Sequence, residues 1–289
     1  MSRVRRPAVA GFFYPAYEEE LSRYIEELFT RMGPGLPKVS ESGKRRILGV
    51  IAPHAGYMYS GWIASYAYYE IAVDGLPTKV LIIGPNHTGL GTAISVYPGG
   101  VWSTPLGEVE IDSNLVDQIT SFNDLISKDE SAHIQEHSVE VHIPFLQYMF
   151  RKANKEFKII PIVMMLQSID SIKALGNAIL NLIQNGIVSL NELLIVSSTD
   201  FTHYESSKVA KMKDEYAIKS ILNLDPEMLL ENIYLHDISM CGYGPVAVLL
   251  YIARKLGEYK VKLLRYGNSG DITGNYNNVV SYASFIIYR

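Results

Sequence analysis

Short apolar runs punctuate the chain at Ile47–Ala52, Val80–Ile83, Lys158–Met165, Leu193–Ser197 and Val261–Leu264. Their hydrophobicity is continuous and does not alternate, which is the pattern of strands covered on both faces. Helix-length stretches separate most of them: Gly61–Val73, Ser138–Lys152, Ser168–Gln184, Lys208–Asn223 and Val246–Leu256. A further helix is marked near the start by Leu21, Tyr24, Ile25 and Leu28, which share one helical face. Glu18, Glu19 and Glu20 stand at its N-terminus, where the helix dipole favours acids, and Gly33-Pro34-Gly35 ends it. Val280–Tyr288 alternates more and predicts another strand, antiparallel to the rest, and Val96–Ile111 has the Gly and Pro punctuation of a β-hairpin excursion. Strands alternating with helices predict an α/β fold, with a central, largely parallel or mixed sheet flanked by helices. No linker-like stretch divides the chain, so residues 1–289 read as a single domain.

Chemistry gathers where three of these strands end. Ile47–Ala52 exits into Pro53-His54-Ala55-Gly56-Tyr57, and Val80–Ile83 into Gly84-Pro85-Asn86-His87. Leu193–Val196 exits into Ser197-Ser198-Thr199-Asp200-Phe201-Thr202-His203. Open α/β sheets build their sites at the carboxyl ends of strands. One such histidine is most often a hydrogen-bonded loop residue, but three on separate strands point to a joint site that binds a metal or moves protons. Cys241 lies just before the helical stretch that holds Pro245, a residue suited to a first helical turn. A thiol there fits a metal ligand and a buried inert cysteine equally well. The remaining polar cluster is Glu136-His137-Ser138-Val139-Glu140-Val141-His142. On a helix its Glu136, His137 and Glu140 share one face and supply partners to metal-bound residues, with Ser138 as the helix cap; a solvated helix start is the alternative. His133 and His236 have no partner pattern and read as surface residues.

Composition narrows the function classes. With 26 basic against 30 acidic side chains the net charge is −4, and no basic face is visible, so nucleic acid is not the expected partner. The basic start, Met1-Ser2-Arg3-Val4-Arg5-Arg6, has no apolar signal-peptide core after it, and no apolar run has the length of a membrane span. A single Cys excludes an internal disulfide, and the simplest location is the cytoplasm. Nucleotide-binding Gly-rich loops, a Gly-x-Ser-x-Gly elbow and Cys-x-x-Cys pairs are all missing. The expected partner is a small molecule or a peptide, and an oligomer is compatible with the sequence.

Six segments together resemble the Memo family, named for a mediator of receptor-driven cell motility in animals. They are Ala8–Pro15, Ile51–Tyr57, Gly84–His87, Glu136–Glu140, Ser197–His203 and Cys241-Gly242, in family order along nearly the whole chain. The resemblance implies a fold similar to class III extradiol ring-cleavage dioxygenases, which hold non-haem iron. It implies His54, His87 and Cys241 as metal ligands, with Cys241 in the place of a carboxylate. It implies His203 as the acid/base residue with Asp200 beside it, and Glu136, His137, Glu140, Tyr57 and Asn86 around the pocket. Thiolate in place of carboxylate shifts the expected metal toward copper or zinc as well as iron. Two functions follow as expectations: metal-dependent redox chemistry on a small molecule, or a binding module that uses the same pocket for a phosphotyrosine-like or peptide ligand.

Overall fold

In the computed structural model, which describes residues 3–40 and 44–289, every residue of the strands Ile47–Ala52 and Leu193–Ser198 is buried, as strands covered on both faces require. Met1 and Ser2 of the basic start lie outside the described residues. The strands are β1 (Val4–Arg5), β2 (Ile47–Ala52), β3 (Lys79–Pro85), β4 (Ile94–Val96), β5 (Val101–Thr104), β6 (Gly107–Ile111), β7 (Ile126–Lys128), β8 (Lys158–Met164), β9 (Leu193–Ser198), β10 (His203–Glu205), β11 (Lys260–Asn268) and β12 (Val279–Tyr288). Between them run α1 (Glu18–Glu27), α2 (Trp62–Asp74), α3 (Ser113–Thr120), α4 (Ile143–Lys152), α5 (Ile169–Gln184), α6 (Ser207–Leu222), α7 (Pro226–Leu235), α8 (Tyr243–Leu256) and the short α9 (Gly270–Thr273).

The strands form one mixed sheet in the order β1-β5-β6-β8-β3-β9-β2-β12-β10, with β11 also on β12 and β4 bridging β8 and β7. Its centre, β8-β3-β9-β2, is parallel, and β12 closes onto β2 antiparallel, as its alternating sequence predicts. Register aligns Ala52 with Ser198 and Ile83 with Ser197, so the exits of β2, β3 and β9 lie side by side. Helix α8 packs on β9 and β3 and α2 on β2 and β12, and one apolar core runs through the sheet and both. Pro245 sits in the first turn of α8. Among the described residues no helix is long and apolar enough to cross a membrane.

The differences from the sequence reading are local. The Val96–Ile111 excursion is a hairpin of β5 and β6, but β6 also pairs in parallel with β8, which makes it part of the sheet. Helices α3 and α7 follow Asp112 and Asp225, whose carboxylates cap them, and were not anticipated. The expected Ser138–Lys152 helix begins only at Ile143, after a single 3₁₀ turn at Glu140–His142. The cause is Glu136, whose carboxylate takes the N–H groups of His137 and Ser138 at 2.9 Å each and holds that stretch as a turn. Ser138 therefore caps no helix; its hydroxyl donates to Pro85 O at 2.8 Å.

Candidate functional site

His54 leaves β2 beside the exit of β9. Thr199 N donates to Ala52 O, and His54 N donates to Asp200 Oδ1 at 2.9 Å, which ties the two loops together. His87 leaves β3 in a turn built on Asn86, whose side-chain oxygen accepts from Thr88 N, Thr88 Oγ1 and Gly89 N. Asn86 thus shapes the loop that presents His87. The third imidazole of the cluster comes from His137, on the turn between β7 and α4. That turn lies against the end of β3 because Gly84 has no side chain: a Cβ there would meet Ser138 Cβ at 2.9 Å.

One ligand atom from each of His54, His87 and His137 lies within 4.8 Å of the others. The His87 and His137 rings stack with centroids 4.5 Å apart, and His54 stands edge-on to both at 5.2 and 5.4 Å. Two nitrogens on one ion at about 2.1 Å each span at most about 4.2 Å, close to the spacing found here. This cluster can hold a metal ion. His87 Nδ1 donates to Glu136 Oε1 at 2.9 Å, which leaves the lone pair of its Nε2 as the ligating position. Glu136 also accepts His87 N and His137 N, so one buried carboxylate holds the His87 ring and the backbone of both residues.

Burial favours the neutral, ligating form of two of the three imidazoles, His54 and His137. Burial, reinforced by the neighbouring imidazoles, holds His54 well below the usual histidine range. Burial pulls His137 down to about 4, although the Glu136 carboxylate works the other way. For Glu136, burial opposes ionisation, but the hydrogen bonds and charge of His87 outweigh it and bring the carboxyl down to about 2. Asp200 is raised to about 6 by burial, against the His54 N–H that favours its charge.

Cys241 touches the cluster from one side, with Sγ 3.3 Å from His54 Nε2 and accepting from Asp200 N at 3.3 Å. Burial, and then the Asp200 carboxylate, push its thiol well above the usual range. Gly242 makes this approach of chain to strand possible, since a Cβ there would meet Thr199 Cβ at 2.7 Å. Where the sequence reading set Cys241 third beside His54 and His87, the imidazoles whose ligand atoms lie within 4.8 Å of one another are His54, His87 and His137, and the thiol adjoins His54 and the Asp200 backbone. His203 donates from Nδ1 to Ser239 O at 2.8 Å. The next residue, Tyr204, has φ +59° and a largely exposed ring, a strained conformation for a bulky side chain.

Glu140 and Tyr57 turn away to structural work. Glu140 is fully buried, pairs with Arg5, and accepts from Ala8 N, Val9 N and Tyr14 Oη. It fastens the N-terminal segment whose Phe13 ring packs 4.8 Å from His137. Glu136 and Glu140 therefore share no helix face. Tyr57 Oη donates to Val141 O at 2.6 Å and steadies the same turn. His133, expected at the surface, is fully buried: its Nε2 meets Ser95 O, and its carbonyl accepts from Arg5. His236 stacks on Tyr216, partly exposed. Arg5 escaped the sequence reading because nothing in its neighbourhood marks a basic residue for burial. The adjacent Glu136-His137 pair was the available signal for the third imidazole.

A Memo-like protein family model matches residues 5–286. A MEMO1 family protein of Ignicoccus hospitalis is 44% identical over 283 residues, 97% of each chain. Others from Methanocaldococcus jannaschii and Methanothermobacter thermautotrophicus are 43% and 44% identical, covering 99% and 97% of this chain and 100% and 99% of their own.

Proposed function

The chain belongs to the Memo family, and from that footing we propose that its pocket binds a transition metal and performs metal-dependent chemistry on a small molecule. The observation that carries this reading is the convergence of the His54, His87 and His137 nitrogens within 4.8 Å, with burial favouring the neutral form of His54 and His137. Imidazole donors suit iron, copper and zinc alike; iron or copper is the choice for redox work. A metal held there supplies Lewis acidity and open positions for a substrate.

The protein's own residues do the rest. Glu136 fixes the His87 ring and the turn that carries His137. Cys241 is a fourth donor once its proton is displaced, which its proximity to His54 Nε2 allows. His203, with Nδ1–H committed to Ser239 O, offers the lone pair of Nε2 to a substrate proton. Asp200, raised to about 6, is the second group placed to exchange a proton near neutral pH. Metal analysis of protein purified without added metal, together with O₂ uptake on catechols, tests the reading. Stoichiometric iron or copper is expected; sub-stoichiometric metal with no uptake counts against it.

A second reading, a binding module for a peptide or phosphotyrosine-like ligand, is favoured by the aromatic side chains beside the pocket. Phe12 and Tyr204 are 88% and 77% exposed, each next in sequence to a residue at or near the cluster, Phe13 and His203. Calorimetry with such peptides, and its loss on His54→Ala, separates this from catalysis.

A further inference from the structure

We propose that Ser198 is a positioning residue that fixes the tautomer of His54 with its Nε2 lone pair turned into the pocket, and that His142 and Tyr68 complete the device. The inference rests on the reading of the pocket as a metal site, because only a ligand role makes that tautomer matter.

The argument is a count of protons. Ser198 Oγ has three partners: Ser138 O at 2.6 Å, His54 Nδ1 at 2.6 Å and His142 Nε2 at 2.8 Å. A hydroxyl has one proton to give and two lone pairs to fill. Ser138 O is a carbonyl and can only accept, so the Ser198 proton goes there. Both ring nitrogens must then donate to Ser198. His54 carries its hydrogen on Nδ1, and Nε2 is left with a lone pair facing Cys241 Sγ at 3.3 Å. His142 carries its hydrogen on Nε2, and its Nδ1 accepts from Tyr68 Oη at 2.7 Å. Every proton in the chain Tyr68–His142–Ser198–Ser138 has one place, and no other assignment leaves all four contacts attractive. Tyr68, His142 and Ser198 are all buried, so water does not compete for these positions.

His54 is thereby treated differently from His87. His87 has its Nδ1–H held by the carboxylate of Glu136, while His54 has its Nδ1–H held by a neutral hydroxyl. Ser198 also sits beside Ala52 in the sheet register, so the hydroxyl is placed by β9 and not by a loop. Without it, Nδ1 of His54 loses its acceptor, and the hydrogen moves to Nε2, where Cys241 Sγ at 3.3 Å can receive it and the Asp200 carboxylate, 3.9 Å away, favours it. That tautomer has no lone pair to offer the pocket.

The test uses the full chain. Long-range ¹H–¹⁵N spectra of the metal-free protein report which nitrogen of each imidazole carries hydrogen. Wild type is expected to show Nδ1–H for His54 and Nε2–H for His142. Ser198→Ala is expected to move His54 to Nε2–H and to weaken zinc binding, measured by chelator competition, by roughly 10–100-fold. Ser198→Thr, which keeps the hydroxyl, restores both. Ser197→Ala is the structural control: it removes a buried hydrogen bond to Pro245 O on the same strand and is expected to leave tautomer and affinity unchanged. Nε2–H on His54 in wild type overturns the proposal without any variant, as does an unchanged His54 spectrum in Ser198→Ala. Nδ1–H in a protein that takes up no zinc, cobalt or copper overturns instead the metal reading on which the proposal rests.

Discussion

Glu136→Gln isolates the carboxylate that organises the imidazoles. In the folded protein its carboxyl lies at about 2, against an ordinary value of 4.5, because the bonds and charge from His87 outweigh the cost of burial. A depressed folded value means that the ionised group stabilises the fold above about 4.5, and that this stability fades as pH falls toward 2. At 1.36 kcal/mol per pKa unit, the contribution is about 3 kcal/mol at neutral pH and about half of that or less near pH 3. Glutamine keeps the shape but sets an NH₂ against one of the N–H donors, from His87 N, His87 Nδ1, His137 N and Ser138 N, so a buried donor loses its acceptor. Urea unfolding of metal-free wild type and variant, at neutral pH and near pH 3, gives the difference directly. The same carboxylate raises His137, so the change of that difference with pH reports Glu136 together with the imidazole it faces. A loss that is equal at the two pH values, or below about 0.5 kcal/mol at neutral pH, refutes an ionised, hydrogen-bonded Glu136 and with it the account of how His87 is oriented.

Other consequences are equally direct. His137→Ala is expected to lower zinc affinity in chelator competition by at least about 100-fold, more than a lost outer partner would, and by more than Cys241→Ala; the reverse order would favour Cys241 over His137 as the third ligand. Gly84→Ala forces a Cβ against Ser138 Cβ at 2.9 Å and Val139 Cγ2 at 3.2 Å, and thermal melting should show a loss of about 1–3 kcal/mol along with weaker metal binding. Arg5→Met strands the buried carboxylate of Glu140 and should cost about 3–5 kcal/mol in urea unfolding. Adding Glu140→Gln to Arg5→Met should recover much of that loss, and strict additivity in the double-mutant cycle would show that the two do not act as a pair.

The strands at Ile47–Ala52, Lys158–Met164 and Leu193–Ser198 were legible in sequence because burial on both faces imposes unbroken hydrophobicity, a local signature that survives without the fold. His54, His87 and Asp200 were legible for a related reason: a strand's end fixes where the next residue can lie, and parallel neighbours bring such ends together. His137 was legible only as a residue beside the pocket, not as one of its three close imidazoles. His137 reaches the cluster because a carboxylate captured two backbone N–H groups and a missing side chain at Gly84 let the turn settle on β3, and neither event has a local pattern. The burial of Arg5 and His133 and the meeting of Ser198 with His54 and His142 likewise depend on partners more than 50 residues apart. The sequence by itself determined the class of fold and the edge of the sheet where chemistry gathers, since these follow from hydrophobic periodicity. Only the tertiary structure decided which polar atoms share that edge and which way their hydrogens point, because a hydrogen bond is specified by the position of both partners and the chain order records only one at a time.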